Sequence, residues 1–566
     1  MGDRIRQGVH PSVVFQLDLW HDGVDWVRML SDITLNVSPH DRRFMNPFIS
    51  SRSQWSFFAL LLNLAWLFLS AGSVASGAES APNVIVIMAD DLGYGDVGCY
   101  GSAQLDTPNI DRLASEGLRF TNGYCSASTC TPTRYSFLTG TYAFRKANTG
   151  IAPPNSPALI AAGTPTIASL MKQAGYATAV IGKWHLGLGE PGQGPQWNDE
   201  LKPGPLEIGF DHCFLLPTTN DRVPQVYVQD HRVLNLDPND PLWVGDKKPS
   251  PDHPTGISHR DELKMDWSHG HNATIHNGIS RIGFYTGGHA ARFRDEDLAD
   301  RWVSESKRWI SDHQEQPFFL FFAAHDIHVP RIVHERFQGK SGLGPRGDAI
   351  VELDWCVGEL MQTVKNHNME KNTMIVFCSD NGPVLDDGYQ DDAIEKLGDH
   401  DPNGPYTGGK YSVFEGGTRT PFITWWPGTI QPGVSDKLVC TIDLAASCAA
   451  MVSVELPDDA VLDSVNVSDA LLGSPAATGR QSLVQQDNGR SGNYGYRRGK
   501  WKLLRSERGK QKNVRLRLVD DQVPKYQLFD LSVDPGETNN VIAEYPQIAD
   551  ELKRELAEEI GTAETR

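Results

Sequence analysis

Residues 83–91 read NVIVIMADD, an apolar run that ends on two aspartates. Three later stretches have the same form: ATAVIGKWH at 177–185, FFLFFAAHDIH at 318–328 and TMIVFCSDN at 373–381. Short runs rich in β-branched and aromatic residues are typical of buried parallel strands. Helical patterns lie between them at 166–174, 295–314 and 349–366, so strands alternate with helices. The sequence therefore predicts an α/β fold with a large, mostly parallel sheet sandwiched by helices.

The polar residues that follow these runs are expected to converge, because ligands in such folds bind beyond the carboxyl ends of the strands. Asp90 and Asp91 follow the first run, and Asp380 and Asn381 follow the last. Their carboxylate and amide oxygens are the ligands that calcium and magnesium prefer. Taken alone, each pair is as typical of a turn or a helix cap.

A second signal is the segment CTPTRYSFLTG at 130–140. Pro132 suits a first helical turn and Gly140 suits a helix end, so the segment by itself predicts a buried cysteine before a helix. Its C-x-P-x-R core resembles the signature of the sulfatases, with Thr133 in place of the more common serine. MADDLGYGD from Met88, GKWHLG at 182–187 and GGKYSVFEGGTRTP at 408–421 resemble further motifs of that family.

The resemblance is to the formylglycine-dependent, arylsulfatase-like (type I) sulfatases of the alkaline phosphatase superfamily. It implies that a maturation enzyme oxidises Cys130 to formylglycine, whose hydrated form supplies one hydroxyl to attack sulfur and a second to expel sulfate. It also implies one calcium ion per chain, held by Asp90, Asp91, Cys130 in its matured form, Asp380 and Asn381.

The resemblance assigns catalytic roles to five further residues. Lys183 and Lys410 would bind the sulfate, and Arg134 would hold the hydrated aldehyde and support the metal site. His185 would accept a proton from that hydrate, and His328 would protonate the leaving alcohol, which is otherwise a poor leaving group. His325 is expected to be structural.

The stretch from Thr218 to Arg292 is too long for a simple connection and matches none of these motifs. Because its polar side chains are good hydrogen-bond donors for sugar hydroxyls, we expect it to select the substrate. A solvated loop is the alternative for any single member of the candidate set, which comprises Asn220, Asp221, Arg222, His269, His271 and Arg292.

The two ends of the chain differ in composition and in the structure they predict. FFALLLNLAWLFL at 57–69 is short for a membrane span and is typical of a signal peptide, which we place at 45–78; a membrane anchor is the alternative. We expect translation to start at Met45, with 1–44 a non-native upstream extension or a disordered segment. A catalytic domain at 79–434 is predicted to precede a smaller domain at 435–566, with hairpin strands at 497–504 and 526–531 and a helix at 546–559.

The formal charge of −19 argues against a nucleic-acid partner, which would require a basic surface. Eight cysteines predict few disulfides; Cys440 and Cys448 are close enough in sequence to pair. The favoured function is an exported sulfatase, periplasmic or secreted and without a stable membrane anchor. Its substrate would be a sulfated mono-, oligo- or polysaccharide. The alternatives are a phosphonate monoester or phosphodiester hydrolase of the same superfamily, and a non-catalytic carbohydrate-binding relative.

Overall fold

The computed structural model describes residues 81–245, 247, 254–488, 492–507, 511–513, 518–520 and 524–564. The signal peptide predicted at 45–78 and the segment before it lie outside the described residues. Within the described ranges, no helix is long and apolar enough to cross a membrane.

The central layer is a sheet of ten strands. In chain order they are Asn83–Ala89 (β1), Leu118–Tyr124 (β2), Ala177–Lys183 (β3), His212–Leu216 (β4), Val228–Gln229 (β5), Arg232–Val233 (β6), Phe318–Ala323 (β7), Thr373–Ser379 (β8), Ile423–Trp425 (β9) and Gly433–Cys440 (β10). Their order across the sheet is β10-β2-β9-β8-β1-β7-β3-β4-β5-β6. The four strands read from the apolar runs, β1, β3, β7 and β8, are adjacent and parallel.

Helices cover both faces of this sheet. The helices are Pro108–Glu116 (α1), Cys130–Thr139 (α2), Ile167–Gln173 (α3), Leu298–Asp312 (α4), Gly344–Asn366 (α5), Glu415–Thr418 (α6), Leu444–Met451 (α7), Ser468–Leu471 (α8) and Pro546–Glu564 (α9). Val84, Val86 and Met88 of β1 pack in the core that includes α2, α3, α7 and α8. Ile85 and Ile87 point the other way, into the core that includes α1, α4 and α5. This alternation explains why β1 reads as an unbroken apolar run.

A second, smaller sheet follows in the C-terminal part. Its four strands are antiparallel in sequence order: Ser482–Gln486 (β11), Tyr494–Arg498 (β12), Trp501–Arg505 (β13) and Tyr526–Asp530 (β14). Leu552 and Leu556 of α9 pack in one core with Leu503 of β13. The predicted fold class is therefore confirmed. The division between domains stays a prediction, and β10 of the large sheet crosses the expected boundary at 434/435.

Three short ribbons complete the strands: Trp243–Gly245 with Phe284–Thr286, Ile275–His276 with Ile279–Ser280, and Gln511–Asn513 with Leu518–Asp520. The first two stiffen the long insertion between β4 and β7. All eight cysteines lie among the described residues, and none is bonded to another, Cys440 and Cys448 included.

Candidate active site

Two neighbouring strands deliver the carboxylates. The last residues of β1 and β8, Ala89 and Ser379, are partners in the parallel ladder. Asp90 and Asp380 follow them directly and are fully buried. Asp91 turns back with φ of 62°, and its backbone N–H donates to Asp380 Oδ1 at 3.3 Å. The register thus places the four predicted oxygen ligands together.

The chemistry of this donor set fits a hard divalent cation. Asp90 Oδ1 and Asn381 Oδ1 are buried oxygens that have no hydrogen-bond partner among the described residues. Burial, followed by repulsion from Asp380, raises the pKa of Asp90 well above its ordinary value. Closely spaced buried carboxylates require compensating positive charge. Oxygen-only ligands favour calcium or magnesium over zinc.

Cys130 begins α2, where it faces His185. Its Sγ lies 3.2 Å from His185 Nδ1, and both residues are buried. His185 Nε2 lies 3.0 Å from the carbonyl oxygen of Ala152, which can only accept, so Nδ1 presents its lone pair to residue 130. Burial raises the pKa of the Cys130 thiol, so the unmodified side chain is a poor nucleophile at neutral pH.

Arg134 lies one helical turn beyond Cys130 and ties α2 to the carboxylates. Its Nε donates to Asp380 Oδ2 at 2.9 Å, and its Nη1 donates to the carbonyl oxygen of Lys183 at 3.0 Å. Its Nη2 is 2.8 Å from the same Asp380 oxygen. The guanidinium is fully buried, so these contacts fix the start of α2 relative to β3 and β8.

Two buried lysines each contact one of the adjacent aspartates. The ammonium of Lys183, the last residue of β3, contacts Asp90 Oδ2. Lys410 Nζ lies 2.9 Å from Asp91 Oδ2 and 2.7 Å from Asp387 Oδ2. Although burial alone would lower the pKa of Lys410, Asp387 and Asp91 raise it well above its ordinary value. Lys410 therefore remains charged in the pocket.

His328 joins the same cluster from the loop after β7. One ring nitrogen of His328 and one oxygen each from Asp90 and Asp91 lie within 4.8 Å of one another. Its Nδ1 lies 2.7 Å from the carbonyl oxygen of Val329 and 3.1 Å from Thr219 Oγ1. His325, expected to be structural, is buried and its Nδ1 accepts from Trp302 Nε1 at 3.3 Å.

Four of the six substrate-binding candidates in the insertion are joined by hydrogen bonds to one another or to the backbone of His328. Asn220 and Asp221 are buried: Asn220 donates to the carbonyl oxygens of His328 and Pro330, and Asp221 accepts from Arg222. His271 Nε2 lies 2.9 Å from Asp221 Oδ2. Arg222 donates from Nη1 to both oxygens of Asp221, and although burial alone would lower the pKa of Arg222, negative charge at Asp221 and then at Cys130 raises it above its ordinary value.

The other two candidates lie elsewhere. The His269 side chain is 65% exposed and approaches Asp386. Arg292 donates to the carbonyl oxygen of Gly287 and lies over the Tyr285 ring. It lines a cavity of about 620 Å³ to which none of the predicted catalytic residues contributes.

Sequence reasoning missed two residues that contact predicted catalytic side chains, Asp387 and Thr219. Asp387 bridges Lys410 and the hydroxyl of Tyr411, which donates to it at 2.9 Å. The loop of Asp387 fits against His271 because Gly388, at φ of 110°, has no Cβ to collide with that ring. The adjacent acids at 386–387, six residues after Asp380, were the available signal for Asp387. Thr219 carries no motif and was found only through its contact with His328.

Two lysines, an arginine and His328 thus lie against the paired carboxylates, and His185 faces residue 130. Cations gathered in a buried pocket bind a tetrahedral oxyanion, and the histidines provide the proton transfers that ester cleavage requires. The α/β fold and this site together define a hydrolase of anionic esters.

Comparison with known proteins identifies the family. The chain belongs to the sulfatase family, whose profile matches residues 82–454, and the profile of the C-terminal part of N-sulphoglucosamine sulphohydrolase matches residues 408–562. It is thus a sulfuric ester hydrolase, as predicted. It is 47% identical over 483 residues to an N-acetylgalactosamine-6-O-sulfatase of Bacteroides thetaiotaomicron, covering 85% of this chain and 93% of the relative.

Two further matches span most of the chain. Human arylsulfatase A is 32% identical over 486 residues, covering 83% of this chain and 85% of the relative. A solved structure from work on the metabolism of multiple glycosaminoglycans by Bacteroides thetaiotaomicron superposes with a TM-score of 0.83 at 46% identity. That match covers 85% of this chain and all of the other.

Proposed function

We propose that this sulfatase removes sulfate from sulfated carbohydrate, with 6-O-sulfated N-acetylgalactosamine as the first substrate to test. The observation that carries the proposal is the complete set of buried charged groups around Cys130. The name of the 47% identical relative supports the choice of sugar. An intact set also argues against the non-catalytic carbohydrate-binding relative, which would lack one of these groups.

In this proposal the cationic side chains bind the sulfate. Lys183 and Lys410 reach it from two sides, which neutralises charge on its oxygens. Arg134 holds the start of α2, so that residue 130 points at the sulfur. Because Nδ1 of His185 faces residue 130 as an acceptor, His185 takes a proton from that side chain. His328 protonates the bridging oxygen of the departing alcohol.

Two groups complete the proposed site. Cys130 oxidised to formylglycine by a maturation enzyme supplies, in its hydrated form, an attacking hydroxyl and a second hydroxyl for sulfate release. One calcium ion, held by Asp90, Asp91, Asp380, Asn381 and residue 130, supplies positive charge to the sulfate oxygens and to the nucleophile. The unpartnered oxygens of Asp90 and Asn381 support this assignment.

The proposed substrate-binding side is the insertion from Thr218 to Arg292. Among its six candidates Arg222 is the best supported, because it is hydrogen-bonded only through Nη1, to Asp221, while its Nε and Nη2 have no hydrogen-bond partner in the described residues. These donors suit a sugar hydroxyl or an N-acetyl carbonyl.

Sulfate release from a panel of sulfated mono- and oligosaccharides tests the function. We expect the highest kcat/KM on 6-O-sulfated N-acetylgalactosamine and low activity on 4-O- and N-sulfated sugars. Aryl phosphodiesters and phosphonate monoesters belong in the same panel. Higher kcat/KM on those compounds than on every sulfate ester would overturn the proposal in favour of the alternative hydrolase.

Export to the periplasm or outside the cell follows from the apolar segment at 57–69 and the small residues after it. N-terminal sequencing of the exported protein should give a start near Ala75 or Ala78. Recovery of the intact 57–69 segment in the membrane fraction would identify an anchor instead.

A further inference from the structure

A hydrogen-bonded chain connects His328 to a buried carboxylate in the insertion. His328 Nδ1 lies 2.7 Å from the carbonyl oxygen of Val329, which can only accept, so this nitrogen carries a proton. The same nitrogen lies 3.1 Å from Thr219 Oγ1. The Thr219 hydroxyl donates to Asp221 Oδ1 at 3.0 Å, so its oxygen lone pairs face His328.

The carboxylate at the end of this chain, that of Asp221, is held in one position and kept ionised by its neighbours. Asp221 and Thr219 are buried. Arg222 Nη1 lies 2.8 Å from both Asp221 oxygens, and His271 Nε2 lies 2.9 Å from one of them. Burial opposes ionisation, but Arg222 and His271 hold the pKa of Asp221 well below its ordinary value.

We propose that Thr219 and Asp221 are positioning residues for His328, which they hold with Nδ1 protonated and Nε2 directed at the leaving oxygen of the substrate. This inference rests on the proposed role of His328 as general acid. It gives Asp221, a sugar-binding candidate by sequence, a different task from that of Arg222. Nothing in the sequence motifs assigns a role to Thr219.

Proton transfer from His328 accompanies cleavage of the sulfate ester. The hydroxyl oxygen of residue 130 forms a bond to sulfur while its proton passes to Nδ1 of His185, and the bond from sulfur to the alcohol oxygen breaks with its electron pair left on that oxygen. The proton on His328 Nε2 moves to this oxygen, which departs as an alcohol, and the imidazole becomes neutral while keeping its Nδ1 proton. The negative charge of Asp221, relayed by the Thr219 hydroxyl, stabilises the imidazolium before transfer and fixes the neutral tautomer after it.

Dependence on the leaving group separates this role from sugar binding. A general acid matters most when the alcohol is a poor leaving group and little when it is an activated phenol. The test therefore uses substituted phenyl sulfates of similar size whose phenol pKa values span several units. The readout is the slope of log kcat/KM against phenol pKa, which a residue that only binds sugar does not change.

Five variants of the matured holoenzyme are compared with wild type, the fifth being His328→Ala. Thr219→Val removes the hydroxyl at nearly constant shape, Thr219→Ser restores it, and Asp221→Asn removes the charge. The matched control is Thr218→Val: this buried neighbour donates to the carbonyl oxygen of Arg222 at 3.0 Å, and within the described residues no hydrogen bond joins its side chain to His328. Thermal unfolding and calcium titration verify that each variant is folded and loaded.

We expect Thr219→Val and Asp221→Asn to lose about tenfold or more in kcat/KM on the least activated phenyl sulfate and little on the most activated one, which steepens the slope. Thr219→Ser and Thr218→Val should retain the wild-type slope. An unchanged slope in both Thr219→Val and Asp221→Asn would overturn the inference. His328→Ala distinguishes the two levels: if it also leaves the slope unchanged, the proposed role of His328 has failed, and if it alone steepens the slope, only the positioning role has failed.

Discussion

The charged cluster at the ends of β1 and β8 and the insertion from Thr218 to Arg292 meet at His328. They differ in how the sequence determines the positions of their side chains. At the strand ends, Asp90 and Asp380 are neighbours because the parallel register of β1 and β8 makes them so. In the insertion, Arg222 and Arg292 look alike in sequence, but Arg222 pairs with the buried Asp221, whereas Arg292 donates to a backbone carbonyl. The strand ends can be read from sequence because regular structure fixes their positions, whereas the insertion is positioned by irregular tertiary contacts.

The largest effect expected at the strand ends is that of Cys130→Ala. It removes the side chain that His185 faces, so kcat/KM should fall by roughly 10³-fold or more on every sulfate ester. The matched control is Cys125→Ala, which removes a buried thiol that donates to Ala127 O and lies outside the pocket contacts. Peptide mass spectrometry of the active protein should show residue 130 as formylglycine. Full activity with an unmodified Cys130 thiol would refute the assignment.

Asp380→Ala tests the metal assignment at the same strand end. Calorimetric titration should show calcium binding lost, together with the rise in unfolding temperature that calcium gives the wild type, which corresponds to about 2.7 kcal/mol at 100 times Kd. Asp386→Ala, an exposed acid in the following loop, should bind calcium as wild type does. Calcium affinity equal to wild type in Asp380→Ala would contradict the prediction.

A smaller and more selective effect is expected in the insertion. Arg222→Gln removes donors at the pocket while His271 remains on Asp221, so kcat/KM on the sulfated sugar should fall by about 10- to 100-fold, or roughly 1–3 kcal/mol. Activity on a small aryl sulfate with an activated phenol, which does not need the general acid, should be unchanged. Arg292→Gln, the matched arginine, should affect neither substrate. Equal losses on both substrates in Arg222→Gln would show that Arg222 supports the catalytic cluster and not sugar recognition.

The smallest effect concerns stability of the insertion. Burial lowers the pKa of His276 to about 4, below its ordinary value of 6.5. The unfolded chain therefore binds more protons between pH 6.5 and pH 4, and the free energy of unfolding falls as the pH drops through that window. From pH 7 to pH 5.5 this contributes about 1 kcal/mol.

His276→Gln removes this titration while an amide can still donate to Phe293 O and accept from Tyr285, the two partners of the histidine. Urea unfolding at pH 7 and pH 5.5 should therefore show a loss about 1 kcal/mol smaller in the variant than in wild type. His269→Gln, on an exposed side chain, is the control. Identical losses in His276→Gln and wild type would show that this histidine titrates normally.

The difference between the two regions also explains what the sequence could predict. Apolar runs gave β1, β3, β7 and β8 and the α/β class, because buried parallel strands leave little freedom in composition or register. The resemblance to the sulfatase family came from sequence motifs, two of which begin in the last residues of β1 and β3. The contact between Thr219 and His328 could not be predicted, since residues 109 apart meet only after the insertion has folded against the loop after β7. The domain boundary predicted at 434/435 rests on a change in composition along the sequence, and composition does not show that β10 joins the large sheet.

The burial of α2 has a consequence for the order of events in biosynthesis. All ten residues of Cys130–Thr139 are buried. Just before them, the backbone of Ser128 accepts from Tyr411 N and donates to Gln486 O, so segments made some 280 and 360 residues later close over this site. An enzyme that modifies Cys130 must therefore reach it before those segments pack. If Cys130 is matured as proposed, the access of the modifying enzyme ends when those segments pack, and a chain that folds first keeps its thiol.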